Sequence, residues 1–209
     1  MNTIILHSHE LAALSDGRLS QVRRPVEPQP PCKIARDADG CYTPVGMPWG
    51  GADWCCPFGA PSDRLRVLET WRPVMEAYYS FVEYPSGPPL KNVNRDHFLG
   101  LDKAALRFNG ARKDIRSEEW HSPESMPEWA SRYFLEVEDV RVGRLIEMPL
   151  DEMESVAPVE RLKAESSVGL LESTAMISWY AGVWDKLYPD HPWNSNPWTW
   201  VVDVKEASR

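Results

Sequence analysis

The stretch YFLEVEDVRV, residues 133–142, is the strongest indication of the fold. Apolar residues alternate with charged residues along it, and the frame of the alternation shifts by one residue at Asp139. Period-two alternation is typical of a half-buried β-strand, and a one-residue shift indicates a β-bulge. A second stretch, WTWVVDV at residues 198–204, carries tryptophan or valine at every second position. We therefore predict two strands of a small sheet.

Shorter patterns predict further elements around these two strands. Three more strands are predicted at residues 65–70, 78–84 and 106–108, the last followed by an Asn-Gly turn. A short helix is predicted at residues 8–15, where Gly17 supplies the left-handed C-terminal cap. Residues 153–187 are predicted to be mostly helical. One apolar face of that region is formed by Tyr180, Val183, Trp184 and Leu187.

Residues 25–60 are dense in proline and glycine, and this predicts a long loop insertion. Together with a helical insertion at residues 149–188, it belongs to a single predicted domain over residues 1–209. Short strands flanked by two helical regions predict an α+β fold around a small, curled sheet.

The composition restricts the class of protein. Of the 209 residues, 43% are hydrophobic and 26% charged, which is typical of a globular domain. No apolar run approaches the ~18 residues of a membrane span, and the N-terminus lacks the basic segment of a secretory signal, so no membrane partner is expected. The net charge of −8 argues against a general polyanion binder. The excess of negative charge lies in residues 117–172, which hold fourteen acidic and five basic residues.

The cysteines and histidines predict neither a metal site nor a cofactor. The four cysteines are Cys32, Cys41, Cys55 and Cys56. Their spacing lacks the C-x2–4-C pair of structural zinc sites, so free thiols are expected. His7 and His9 are spaced to share one face, but the other histidines show no partner pattern. The chain contains no phosphate-binding glycine loop, no G-x-S-x-G and no H-E-x-x-H motif.

Four segments carry a more specific pattern. They are LSDGRLSQVRRPV at residues 14–26, CPFGAPSDRLRVLETW at 56–71, MPEWASR at 126–132, and a tail with WDKL at 184–187 and WNSNPWTWVV at 193–202. In this order they resemble the ASCH-domain proteins common in phages and prophages, with their G-R-K-T-Q-T-R-R, C-P-Y-G-x-x-G-D-x-L-W-V-R-E-T-W, M-P-x-W-A-S-R and W-D-x-x-N-P-W-x-W-V segments. The resemblance implies a PUA-like fold, a small curled β-barrel with flanking helices and a cleft lined by the first segment. It also implies a cytoplasmic setting in a bacterial host cell.

The resemblance implies that the first segment faces a ligand cleft for RNA or modified bases. Its candidate ligand-binding residues are Arg18, Ser20, Gln21, Arg23 and Arg24. Arginine can bind phosphate or carboxylate oxygens through paired hydrogen bonds, while serine and glutamine add neutral donors and acceptors.

Two residues at the end of the predicted strand at 65–70 are expected to line the same cleft. They are Glu69 and Trp71, and Trp71 could stack on a base. A structural alternative is that Arg23 and Arg24 pair with Asp63 and Glu69 and brace the loop against the sheet.

The leading hypothesis is therefore a non-catalytic module that binds RNA or a modified nucleotide. One ASCH protein resembles an amidase acting on acetylated cytidine, in which a lysine and a threonine of the first segment and a later glutamate do the chemistry. Leu19 and Val22 occupy the first two positions here, and the glutamate falls near residues 154–156, so no catalytic residue is predicted. Two alternatives stay open. One is a nucleic-acid or nucleoside hydrolase, either a ribonuclease with magnesium on Glu69 or Asp63 or an acetylcytidine-type amidase, and the other is a phage accessory protein that binds a host protein through residues 117–172.

Overall fold

The computed structural model describes residues 1–37, 41–45, 54–75, 80–91, 93–94, 97, 107–109, 114–116, 119–158 and 170–208. In these residues the protein has an α+β fold, as predicted. Its helices are α1 (Ser8–Ser15), α2 (Leu150–Val156) and α3 (Leu170–Leu187). Short 3-10 turns cover Pro123–Ser125, Glu128–Ala130, Leu145–Glu147 and Trp193–Ser195.

The strands form a mixed five-stranded sheet and two smaller antiparallel sheets. The five-stranded sheet contains β1 (Asn2–Ile5), β2 (Gln21–Pro25), β5 (Arg64–Leu68), β10 (Phe134–Arg144) and β11 (Trp198–Ala207). The two-stranded sheet pairs β3 (Ile34–Arg36) with β4 (Tyr42–Pro44). The four-stranded sheet contains β6 (Arg72–Met75), β7 (Ser80–Glu83), β8 (Arg107–Asn109) and β9 (Asp114–Arg116).

The five-stranded sheet has the order β1-β5-β10-β11-β2, in which only β1 and β5 are parallel. Among the described strands no pairing joins β1 to β2, so strand pairing does not close the sheet into a barrel. The two edge strands nevertheless meet at one point, because Nη2 of Arg24 on β2 donates to the carbonyl oxygen of Ile5 on β1 at 2.6 Å. The sheet is therefore strongly curled.

The long pair β10–β11 confirms the two strands predicted from alternation. Its register runs from Phe134 opposite Ala207 to Arg144 opposite Trp198. The register shifts between Val137 and Asp139, at the position where the sequence pattern changes frame. Alternating valines and tryptophans of this pair are buried in the main core, since successive side chains of a strand point to opposite faces.

The first helix also forms where the sequence predicts it. Helix α1 covers Ser8–Ser15, and Gly17 follows with a φ of +68°, which an L side chain rarely adopts. In the second helical region, α2 and the end of α3 pack on the sheet, and Tyr180 and Trp184 are buried as predicted. Residues 159–169 of that prediction lie outside the described residues.

The structure corrects the expectation of a plain loop at residues 25–60. This segment contains β3 and β4, and Tyr42 forms a backbone bridge with Trp54. The free-thiol expectation is also wrong for two cysteines, because Cys41 and Cys55 form a disulfide, whereas Cys32 and Cys56 are free thiols. The physical reason is the core: Tyr42 and Trp54 are buried in it, and this brings the flanking cysteines together.

A smaller core lies between the end of β5 and the four-stranded sheet. It includes Leu68, Trp71, Val82, Tyr84, Met126 and Ala130. The strand predicted at 78–84 is observed as β7, with residues 76–79 outside the described range, and the strand predicted at 106–108 is observed as β8. None of the helices in the described residues is both long enough and apolar enough to cross a bilayer.

Candidate ligand cleft

A cleft lies over β2, between the N-terminal end of α1 and the C-terminal half of α3. Its inner part is a narrow throat of about 10 Å³, lined by residues that include His7, Glu10, Arg24 and Tyr188. An adjoining open groove of about 460 Å³ shares the two histidines and adds Ser8, Trp179 and Lys186. We call the throat and the groove together the α1–α3 cleft.

A buried ion pair between Arg24 and Glu10 forms the bottom of the throat. Nη1 and Nη2 of Arg24 donate to Oε1 and Oε2 of Glu10 at 2.7 and 2.9 Å, and both nitrogens also donate to backbone carbonyls. Glu10 is 4% exposed and also accepts a hydrogen bond from the His7 amide. Burial by itself raises the pKa of Glu10, but the charge and hydrogen bonds of Arg24 outweigh it and lower the pKa. The carboxylate is therefore ionised and fully occupied.

Arg23 belongs to a closed ring of charged and amide side chains. Its Nε donates to Gln21 at 3.0 Å and its Nη2 to Glu152 at 2.7 Å. Glu152 contacts Arg141 at 3.3 Å, Arg141 pairs with Asp203, and Gln21 donates to Asp203 at 2.7 Å. The ring connects β2, β10, β11 and α2, so Arg23 holds helix α2 against the sheet.

The histidines and aromatic rings are the groups that remain open to the cleft. The His7 and His9 rings are parallel with centroids 6.2 Å apart, and His9 meets Trp179 edge-on at 5.8 Å. Nε2 of His7 lies 3.4 Å from the Tyr188 hydroxyl. Burial is the main cause that lowers the pKa of both histidines, and the nearby Arg24 charge acts in the same direction. Both imidazoles are therefore neutral near pH 7.

Of the residues predicted from the first segment, Arg23 and Arg24 line the cleft and Gln21 supports Arg23. Arg18 lies elsewhere, where its exposed guanidinium donates to the Ser155 carbonyl at 2.6 Å and to Asp16 at 2.9 Å. Ser20 is exposed, and its carbonyl oxygen accepts the Val204 amide. Neither Arg18 nor Ser20 lines the α1–α3 cleft.

Glu69 and Trp71 lie in the smaller core and not beside Arg24. Glu69 is 1% exposed and accepts hydrogen bonds from Arg132 at 2.8 and 2.7 Å, and burial raises its pKa. Trp71 is 2% exposed, with its ring packed against His121 and Trp129. The expectation of one shared cleft does not match this arrangement, because β10 and β11 separate β5 from β2 in the sheet.

Arg23 and Arg24 do form ion pairs within the fold, as the structural alternative predicts, but their partners are not the predicted acids. The predicted acids were Asp63 and Glu69, whereas the observed partners are Glu10 for Arg24 and Glu152 for Arg23. Asp63 instead accepts the Ala60 amide at 2.9 Å. In the part of the chain that the structure describes, no three histidine, cysteine or acidic side chains cluster in a way that could hold a metal ion.

Sequence reasoning missed most of the α1–α3 cleft. The His7–His9 spacing was a usable signal, and Glu10 sits in the first turn of the predicted helix. Trp179 and Tyr188 could not be assigned, because their meeting with α1 depends on how α3 packs across the sheet.

Comparison of the chain with protein-family models, with curated proteins and with solved structures found no match. The function of the α1–α3 cleft is therefore derived from its own geometry and from the sequence motifs.

Proposed function

We propose that this protein is an ASCH-type module with a PUA-like fold, which binds RNA or a modified nucleotide by inserting a base into the α1–α3 cleft. The order of the four sequence segments supports the family, and the curled sheet with flanking helices is compatible with it. The first segment supports the site, since its arginines stand on β2 at the bottom of the cleft. A cytoplasmic setting in a bacterial host belongs to the same proposal.

One observation carries the proposal: the positive charges of the cleft bottom are already neutralised, while neutral polar and aromatic groups are open. A phosphate that contacts either arginine would have to displace Glu10 from Arg24 or Glu152 from Arg23. A base needs only ring contacts and neutral hydrogen-bond partners. Trp179 and His9 supply the rings, and His7 and Tyr188 supply the partners.

The proposed module binds without turnover. The two positions that carry lysine and threonine in the amidase-like pattern hold Leu19 and Val22, which are 7% and 1% exposed. Neither side chain can transfer a proton. The acids considered for magnesium are occupied by other contacts, Glu69 by Arg132 and Asp63 by the Ala60 amide.

The test is a titration of the full chain with labelled single-stranded RNA, with the four nucleoside monophosphates and with acetylated cytidine. Replacement of Arg24 would leave the buried Glu10 carboxylate unpaired, and replacement of Arg23 would break the ring that holds α2 against the sheet, so Trp179→Ala is the better probe. We expect it to weaken binding about tenfold or more, since base–aromatic stacking is worth ~1–3 kcal/mol. Trp120→Ala, which removes a tryptophan outside the cleft, is the matched control and should leave the affinity unchanged.

Salt dependence separates base recognition from phosphate recognition. Base recognition predicts a shallow dependence of affinity on salt, whereas phosphate contacts predict a steep one. Equal affinity of the wild type and Trp179→Ala, or no binding of any probe, would contradict the proposal. Cleaved RNA on a denaturing gel, or deacetylated cytidine, would favour a hydrolase.

A further inference from the structure

Trp120 is the only exposed tryptophan among those that the structure describes. It is 42% exposed, whereas the others are buried or half-buried. A large aromatic side chain left in solvent forgoes hydrophobic stabilisation, and tryptophan is enriched at the centres of protein–protein interfaces. Its position, at the edge of the smaller core, is separate from the α1–α3 cleft.

The Trp120 ring is fixed in its exposed position. The Arg72 guanidinium lies over it, 4.3 Å from the ring centroid, and Arg72 is itself held by Glu83, with Nε donating at 2.6 Å. The next residue, His121, pairs with Trp71 through two backbone hydrogen bonds of 2.8 and 3.2 Å. Since Trp71 is anchored in the smaller core, this bridge holds the backbone next to Trp120 in place. A side chain held in its contact position loses little entropy on binding.

Arg72, the cation beside the Trp120 ring, is paired with Glu83, and the charges that follow Trp120 along the chain are acidic. Residues 117–130 contain four glutamates and neither lysine nor arginine. Glu124 and Glu128 are exposed on the two 3-10 turns that follow Trp120. The first of these turns lies against Trp71, because the Trp71 indole donates to Ser125 at 3.3 Å. These carboxylates repel a nucleic acid and attract a cationic segment.

We propose that the Trp120 surface, formed by Trp120, Arg72, Glu83, Glu124 and Glu128, docks a basic segment of a partner protein. An arginine or lysine of the partner packs its alkyl chain and its charge against the exposed part of the Trp120 indole. Glu124 and Glu128 steer the segment and pair with its other cations. This docking is independent of the α1–α3 cleft and of any ligand bound there.

The experiment uses the full chain and two synthetic peptides. One is rich in arginine and leucine, and the other carries glutamate in place of every arginine. We expect the arginine peptide to bind and the glutamate peptide not to bind. Trp120→Ala should weaken binding about tenfold or more, as for an aromatic hot spot. The Glu124→Gln, Glu128→Gln double variant should weaken binding and flatten its salt dependence.

Ile146→Ala is the matched control, because Ile146 is also exposed and precedes an exposed glutamate, Glu147. It should leave peptide affinity unchanged. The proposal is overturned if Trp120→Ala keeps full peptide affinity, or if Trp120→Ala and Ile146→Ala lose affinity equally. It is also overturned if both peptides bind equally or if the arginine peptide does not bind. Trp120→Ala should keep the circular dichroism spectrum and the RNA affinity of the wild type. The peptide-docking proposal and the RNA-binding proposal can therefore be contradicted independently.

Discussion

The protein contains two buried arginine–glutamate pairs with similar hydrogen bonds but different surroundings. In both, one guanidinium donates to the two oxygens of one carboxylate: Arg24 to Glu10, and Arg132 to Glu69. The Arg24 pair faces the α1–α3 cleft, where neutral histidines and Tyr188 are open. The same kind of ion pair therefore occurs once at the α1–α3 cleft and once at the smaller core.

The guanidinium of the Arg132 pair is surrounded by two tyrosine rings and two backbone carbonyls. The guanidinium lies 4.0 and 4.9 Å from the Tyr84 and Tyr133 ring centroids, and it donates to the Ser86 and Pro88 carbonyls at 2.7 Å. Each nitrogen of the guanidinium therefore already has a hydrogen-bond acceptor. A carboxylate after a strand is therefore not by itself an indication of a site. What distinguishes the two pairs is that Glu10 and Arg24 line the α1–α3 cleft.

The largest expected effect follows from the removal of Arg132, the hydrogen-bond partner of Glu69. Arg132→Ala should lower the free energy of unfolding by about 3–5 kcal/mol, because it leaves the Glu69 carboxylate buried without its partner. Urea denaturation measures this change. Arg18→Ala, at an exposed arginine, is the control and should change stability by about 0.5 kcal/mol or less. A loss below about 1 kcal/mol in Arg132→Ala would show that Glu69 has access to solvent.

The Arg24–Glu10 pair should lose less unfolding free energy than the Arg132–Glu69 pair when its arginine is replaced by alanine. Arg24→Ala should cost about 2–3 kcal/mol, because water can enter the α1–α3 cleft and solvate Glu10 once the guanidinium is gone. Urea denaturation beside Arg132→Ala gives the comparison. A cost in Arg24→Ala that equals or exceeds the cost in Arg132→Ala would remove the distinction between the two pairs.

The smallest expected effect is a pH dependence of stability that arises from the groups around the Arg24–Glu10 pair. His7 and His9 have a lowered pKa in the folded state, so the unfolded chain binds their protons first. Their contribution to stability is therefore complete above the unfolded value of 6.5 and is lost as the pH falls through the lowered values. Glu10, also lowered, adds a further loss below 4.5.

Unfolding free energies measured across this range test the assignment. The His7→Gln, His9→Gln double variant should flatten the slope just below pH 6.5, while Arg18→Ala, at an exposed arginine outside the α1–α3 cleft, should keep it. An unchanged slope in the histidine variant would assign the dependence to other groups.

Much of the fold could be predicted because its signals are local. The frame shift at Asp139 and the glycine at position 17 act through their immediate neighbours, and both are observed where predicted. The hairpin of β3 and β4 was missed, because its short strands form only where Tyr42 and Trp54 are buried together. The disulfide between Cys41 and Cys55 follows from the same long-range packing.

The candidate site could be predicted only in part. Arg23 and Arg24 were recognised from their motif, but Trp71 was expected at a ligand and is instead buried against His121 and Trp129. Its position after a strand is the same in either case, and only packing decides whether its ring meets solvent.

The sequence by itself determined the α+β class, the two long strands, the first helix and the presence of two adjacent arginines in the first segment, whereas their place on strand β2 comes from the structure. These features depend on periodicity and turn chemistry within a few residues. Tertiary structure decided which carboxylate each arginine meets: Glu10 and Glu152 for the motif arginines, and Glu69 for Arg132. With 31 acidic residues in the chain, the choice of partner is set by the curling of the sheet and the docking of the helices, because ion pairs act through space and not along the sequence.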